Sequence, residues 1–370
     1  MRTRSPDFEN LRVALMCQGE PAYVPIMEFG VDYNVKAAFL GRPPVTLEDE
    51  VEFWYRAGYD FVPLQAGIRC LFWPGYAASE KSSDRGAETG YQMSRESSTK
   101  FSVYQEEERK MAWAQEGRGA ISSEEEFERF PWPDPDRMDL SAFDQIGRYL
   151  KPGMKVIAYQ GYVFTAAWWL MGMETFCYAL SEQPQLIRRI YDRIWRIQGR
   201  VIERILAYDV VGAVAHPDDM AYAEALMVSP RHLREFVLPW YRWCGGLVRD
   251  RGLLMILHSD GRVLSILDDI VACGFNALHP VEPKAMSIVE LKKKLAGRVC
   301  LIGNIDLSYT LTRGTPQEVD AEVRERIQAI APGGGYCLGS ANSIPAYVPL
   351  ANYNAMRVAA FRYGTYPIRI

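Results

Sequence analysis

Short apolar runs rich in β-branched and aromatic residues recur along the chain, separated by longer amphipathic segments, and this alternation restricts the fold more than any other feature. The runs are Tyr23 to Phe29, Phe61 to Gln65, Val156 to Tyr162, Val210 to Ala215, Leu253 to Leu257, Ala277 to Val281, Cys300 to Asn304 and Tyr336 to Ser340. Parallel strands need long crossovers, usually helical. Eight runs, each followed by such a segment, therefore predict an α/β fold, a (β/α)8 TIM barrel. The helical period is clearest between the third and fourth runs. There Leu186, Ile187, Ile190, Ile194, Ile197, Val201, Ile202 and Ile205 form one apolar stripe, expected to pack on the barrel exterior.

A chain of 370 residues with 48% hydrophobic content can fill one such barrel, so residues 1–370 read as a single domain. Residues 68–155 exceed what one crossover requires and read as an insertion over the barrel mouth, between the second and third runs. Its part from Ser94 to Ser123 is polar and partly alternating, which suggests a β-hairpin. Pro131-Trp132-Pro133-Asp134-Pro135 then breaks the chain before another helix.

The 42 basic and 46 acidic residues leave a net charge of −4 with no long block of either sign, so nothing points to nucleic acid. The longest apolar stretch, Val163 to Met171, is too short to span a bilayer, and the polar start lacks a signal-peptide core; a soluble, cytoplasmic protein is expected, with no membrane association. Seven cysteines without a Cys-x-x-Cys pair argue against a disulfide framework or a zinc ribbon. A homodimer is the assembly left open.

In a barrel of parallel strands the chemistry sits where the strands end. His216, His258 and His279 fall at or just after the ends of the fourth to sixth runs, whereas His232 lies in a helical segment and reads as incidental. His258 is followed by Asp260, which is either a ligand or the N-cap of the helix after Gly261. Asp218 and Asp219 follow His216-Pro217; paired carboxylates suit acid–base or metal work, and one of them alternatively caps a helix starting near Ala221. Glu28, Glu282, Asn304 and Asn342 also fall at run ends. Tyr159, Tyr162, Phe164, Trp168 and Trp169 supply apolar area, with polar tips on the tyrosines and tryptophans, for a planar ligand, and helix-to-barrel packing is the alternative for the two tryptophans. Gly333-Gly334-Gly335 precedes its run, so it reads as a turn and not as a phosphate loop.

Taken in order, Gly172-Met173-Glu174-Thr175-Phe176, Pro217-Asp218-Asp219, Pro230 to Pro239, His258-Ser259-Asp260-Gly261, Gly303-Asn304-Ile305-Asp306 and Gly333-Gly334-Gly335-Tyr336 resemble the uroporphyrinogen decarboxylase superfamily. That superfamily also holds corrinoid-dependent methyltransferases and the methyltransferase components of O-demethylases. The resemblance covers most of the chain and departs from true decarboxylases in two places. They carry an arginine-rich stretch after the first strand and an aspartate ending the second. Here the corresponding segments are Ile26-Met27-Glu28-Phe29-Gly30 and Leu64-Gln65-Ala66-Gly67, without the cations a polyanionic porphyrinogen needs. The superfamily's zinc methyltransferases that activate thiols have a His-x-Cys pair after strand five and a cysteine after strand eight; the matching residues here are His258, Asp260 and Asn342.

The resemblance thus implies zinc held by His258, Glu282 and Asp260, made harder by the loss of thiolates and so suited to polarising an ether oxygen. It implies a methyl group passed from a methoxylated aromatic compound to a corrinoid carried by a partner protein. His258, Asp218, Asp219 and Asn342 are the expected catalytic residues; Glu28, Tyr162, Phe164, Trp168, His216 and Asn304 are expected to bind substrate. The alternatives are a decarboxylase and a non-catalytic barrel that binds a tetrapyrrole or an aromatic ligand.

Overall fold

The structure, a computed structural model, describes residues 4–65 and 119–370. Its centre is a parallel sheet of β1 (Phe61–Leu64), β2 (Lys155–Tyr159), β3 (Val211–Pro217), β4 (Leu254–His258), β5 (Ala277–His279), β6 (Cys300–Ile302) and β7 (Tyr336–Cys337), each beside the next. Helices α1 (Phe8–Leu15), α2 (Tyr33–Leu40) and α3 (Leu47–Ala57) precede β1, and α4 (Glu124–Arg129) and α5 (Ser141–Ile146) precede β2. Between β2 and β3 lie α6 (Phe164–Met171), α7 (Met173–Glu182) and α8 (Pro184–Ile205). The remaining crossovers are α9 (Pro230–Phe236) with α10 (Leu238–Asp250), then α11 (Leu267–Ala272), α12 (Ile288–Leu295) and α13 (Pro316–Ile330), and α14 (Leu350–Tyr363) follows β7.

The first of the eight runs is the one that does not form a ladder. Ile26 bridges Leu338 in parallel, with the Met27 N–H donating to Leu338 O at 2.8 Å and the Leu338 N–H to Pro25 O at 2.9 Å. Pro25 has no N–H to give, which removes one ladder bond from so short a segment. The run still lies beside the last strand, and its Phe29 ring reaches Phe61 of β1 at 6.3 Å between centroids. The sheet is therefore curled until its two ends meet, the (β/α)8 barrel expected from the alternation.

Helix α8 follows its stripe closely: Pro184 opens it, and all eight residues of the stripe are buried. Ser123 caps α4, and the proline-rich segment leads through a short turn of helix, Pro135–Arg137, into α5. The hairpin expected from Ser94 to Ser123 lies outside the described residues except for its last five positions. Two local expectations fail. Ala221 starts no helix but bridges Leu226 in a tight antiparallel loop, and the helix after Gly261 begins only at Leu267, without a side-chain cap. Asp260 is therefore not its N-cap. The Gly333-Gly334-Gly335 segment is the turn into β7, with positive φ at all three positions. No described helix is long and apolar enough to cross a membrane.

Candidate metal centre

Strand parity decides which rim residues face one another. In the β3, β4 and β5 register, Pro217 pairs with His258 and His258 with His279, so these three share one face, whereas His216 pairs with Leu257 on the other. His216 points into the outer helical layer, where its ring lies edge-on to Trp240, Tyr241 and Phe275 at 5.4 to 6.0 Å. It is fully buried, and burial drives its pKa down to about 3. The structure therefore places His216 among the outer aromatic residues, on the face opposite His258 and His279.

Two loops follow the inner-face residues, and hydrogen bonds lace them together. The Asp218 N–H donates to His258 O at 2.8 Å, the Met220 N–H to Ser259 Oγ at 3.1 Å, and the Asp260 N–H to Asp219 Oδ1 at 2.9 Å. Gly261 lets the loops approach this closely: its φ is +80°, and a Cβ there would lie 2.4 Å from Ala221 O. Its N–H donates to Glu282 Oε2 at 2.8 Å, tying the loop to the end of β5.

The lacing brings Asp219, His258 and Asp260 together, with one candidate ligand atom from each within 4.8 Å of the others. His258 Nε2 is 3.7 Å from Asp219 Oδ1 and 3.9 Å from Asp260 Oδ1. Asp260 Oδ2 accepts from Asn342 Nδ2 at 2.6 Å, but its Oδ1 is buried with no hydrogen-bond partner. Burial first, then the neighbouring carboxylates of Asp219 and Glu282, push the Asp260 carboxyl well above the usual range. An orphaned carboxylate oxygen beside a second carboxylate and an imidazole nitrogen is a donor set that fits zinc or a similar divalent cation. On the far side of the ring, His258 Nδ1 is 2.7 Å from Nδ1 of His279, a fully buried histidine held well below its usual pKa, first by burial and then by His258.

The third member of the cluster is Asp219 and not Glu282, whose carboxylate is engaged by Gly261 and lies 3.8 Å from Lys284. Asp218 is elsewhere altogether. Its buried carboxylate accepts from the backbone N–H groups of Val163, Phe164 and Thr165 and from the Tyr241 hydroxyl at 2.7 to 3.2 Å, so it anchors the start of α6 from the neighbouring βα unit. Phe164 is buried against Phe176 of α7, Trp168 against Trp169, and Tyr162 against Trp169. Trp168 and Trp169 are both buried. Asn304 holds Val281 O through Nδ2 at 2.8 Å and keeps a buried, unpartnered Oδ1. Glu28, fully buried, accepts from the Ser340 N–H and hydroxyl at 2.6 and 2.8 Å, and burial raises it to about 8.

The residue that faces the centre from the first run is Phe29, the neighbour of Glu28. Its ring stacks on Tyr159 at 5.4 Å and meets His279 edge-on at 5.0 Å, while Tyr159 meets His258 at 6.1 Å. Both rings are only partly buried, so they form an aromatic wall beside the imidazoles. The sequence signal that could have found Phe29 is parity, since a strand that turns Glu28 away must turn its neighbour inward.

A parallel barrel with an imidazole and two carboxylates gathered at the C-terminal ends of its strands has the layout of a barrel enzyme. Comparison with known proteins gives its family. A model of the uroporphyrinogen decarboxylase (URO-D) family matches residues 118–363, and the chain belongs to that family. The methylcobamide:CoM methyltransferase MtaA of Methanosarcina barkeri is 30% identical over 169 residues, which are 44% of this chain and 46% of the relative. A protein of the same description from the Fusaro strain is 29% identical over the same length. The alignment thus spans less than half of these curated relatives. A solved methyltransferase from Methanosarcina mazei superposes with a TM-score of 0.65 at 18% identity, covering 96% of this chain and 98% of that one, and it supports the fold.

Proposed function

We propose that the protein is the substrate-specific methyltransferase of a corrinoid system, taking a methyl group from a methoxylated aromatic compound and passing it to cobalt on a separate corrinoid protein, in the cytoplasm. The observation that carries this reading is the donor set: one imidazole and two carboxylates, with no thiolate in the cluster among the described residues. Family membership and the methyl chemistry in the relatives' names support the methyl-transfer half of the reading.

Zinc, held by His258, Asp219 and Asp260, would supply a Lewis acid for the ether oxygen, a harder one for having no sulfur ligand. The protein's own groups set the scene for it. Phe29 and Tyr159 offer an aromatic face beside His258, Asn342 fixes Asp260, and the loop containing Gly261 is clamped by Glu282. Without arginines at the first run, and with Glu28 buried against Ser340, the expected grip on a porphyrinogen's carboxylates is missing.

The test is protein purified without an affinity tag, analysed for metal and assayed for methylation of cob(I)alamin by aromatic methyl ethers. Stoichiometric zinc and methyl transfer lost on chelation are expected. Full transfer by metal-free protein would overturn the metal's role. Methylation of a thiol from methylcobalamin would replace the ether reading with the one in the relatives' names, and coproporphyrinogen formation would replace both with decarboxylation.

A further inference from the structure

We propose that His279 is a positioning residue for the metal centre, accepting the Nδ1 proton of His258 so that the Nε2 lone pair of His258 is presented to the cation. This rests on reading Asp219, His258 and Asp260 as a zinc centre. The two histidines sit opposite each other on β4 and β5, with ring centroids 4.9 Å apart and planes 29° from parallel. At 2.7 Å their Nδ1 atoms must share one proton, so one ring donates and the other accepts. If His279 donates, His258 keeps its proton on Nε2, aimed at the Asp219 and Asp260 carboxylates 3.7 and 3.9 Å away, and no cation can bind that nitrogen. If His258 donates, Nε2 is bare. Only the second arrangement serves a metal.

The surroundings make the pair a two-state device. His279 Nε2 is buried with no partner, and orphaned buried N–H groups are rarer in proteins than under-satisfied acceptors. Without a cation the first arrangement is therefore favoured, because it also points the His258 proton at two carboxylates. Cation binding selects the second arrangement, in which the bridging proton belongs to His258 Nδ1 and the other proton sits on His279 Nε2. Each state of the pair holds two protons. Phe29, edge-on to His279, and the strand register hold both rings in place in either arrangement.

Zinc affinity is measured by chelator competition on the full chain, wild type against H279F and H279N, with thermal melting as the control for folding. H279F keeps a flat ring and removes the acceptor, so affinity should fall about 10- to 100-fold; H279N restores an acceptor oxygen and should recover most of it. Zinc binding by folded H279F as tight as wild type, or H279N no better than H279F, would overturn the proposal. A second measurement does not depend on the variants folding. With four histidines in the chain, ¹⁵N-histidine spectra of zinc-loaded wild type should show His258 protonated at Nδ1 and His279 bare at Nδ1. The opposite pattern would sink the idea. Wild type that binds no zinc refutes the centre itself, a separate outcome.

Discussion

Asn342, in the loop after the last strand, donates its side-chain amide to Oδ2 of Asp260 at 2.6 Å, joining residues 82 positions apart. This bond leaves Asp260 Oδ1 as the oxygen toward His258, so Asn342 aims the carboxylate without belonging to the cluster. Outer partners of metal ligands are worth about 10- to 100-fold in affinity. Asn342→Leu should therefore bind zinc at least about tenfold more weakly with an unchanged melting temperature. Equal affinity would mean that Asp260 is held by its backbone alone.

For the proposed zinc centre, Asp219 and Glu282 are the two candidates for third ligand: Asp219 Oδ1 lies 3.7 Å from His258 Nε2, whereas Glu282 accepts from the Gly261 N–H. Glu282→Gln keeps an oxygen for the Gly261 N–H and removes one charge near Asp260, so zinc affinity should stay within a few-fold of wild type. Asp219→Asn removes a ligating oxygen's charge and should lower it by about 100-fold, the scale of losing a charge-assisted contact. The reverse order, read by the same chelator competition, would restore Glu282 to the ligand set.

Asp218 carries a stability prediction and no metal prediction. Asp218→Ala strands three buried backbone N–H groups and the Tyr241 hydroxyl. At about 1–3 kcal/mol for each unsatisfied group, offset by relaxation and water entry, a loss of about 3 kcal/mol or more is expected in urea unfolding. Tyr241→Phe, which removes one donor of four, should cost about 1 kcal/mol. A variant at position 218 that unfolds like wild type yet loses zinc would place this carboxylate in the site.

The barrel was legible because its signal is periodic and redundant: eight runs and one long apolar stripe agree on it, and a single irregular strand such as Tyr23 to Phe29 does not disturb it. The site was legible only in part. His258 and Asp260 stand out at a strand end. What one carboxylate touches, however, depends on loops from other βα units, and sequence spacing carries no record of them. Asp218 and Asp219 are adjacent in the chain, yet one anchors α6 and the other faces His258. His216 and His258 look alike at their strand ends, and a one-residue difference in register sends them to opposite faces. Phe29 lacked a polar tip to attract attention.

Glu28 supplies a pH signature that distinguishes a buried structural carboxyl from a substrate-binding one. Its pKa is raised from 4.5 to about 8, by burial that outweighs the two hydrogen bonds from Ser340. A carboxyl with a higher pKa in the folded than in the unfolded state binds its proton more tightly when native. Its contribution to stability is therefore greatest below about pH 4.5 and is lost as pH rises toward about 8. Glu28→Gln imitates the protonated form, with an oxygen for the Ser340 N–H and an NH2 for its hydroxyl. The variant should match wild type near pH 5 and exceed it by a few kcal/mol near pH 9, the loss in wild type approaching about 1.4 kcal/mol per pH unit at its steepest. Urea unfolding of both proteins across that range is the measurement. Parallel curves would show that Glu28 is ionised in the native state and reached by solvent, as a residue that orients substrate would be.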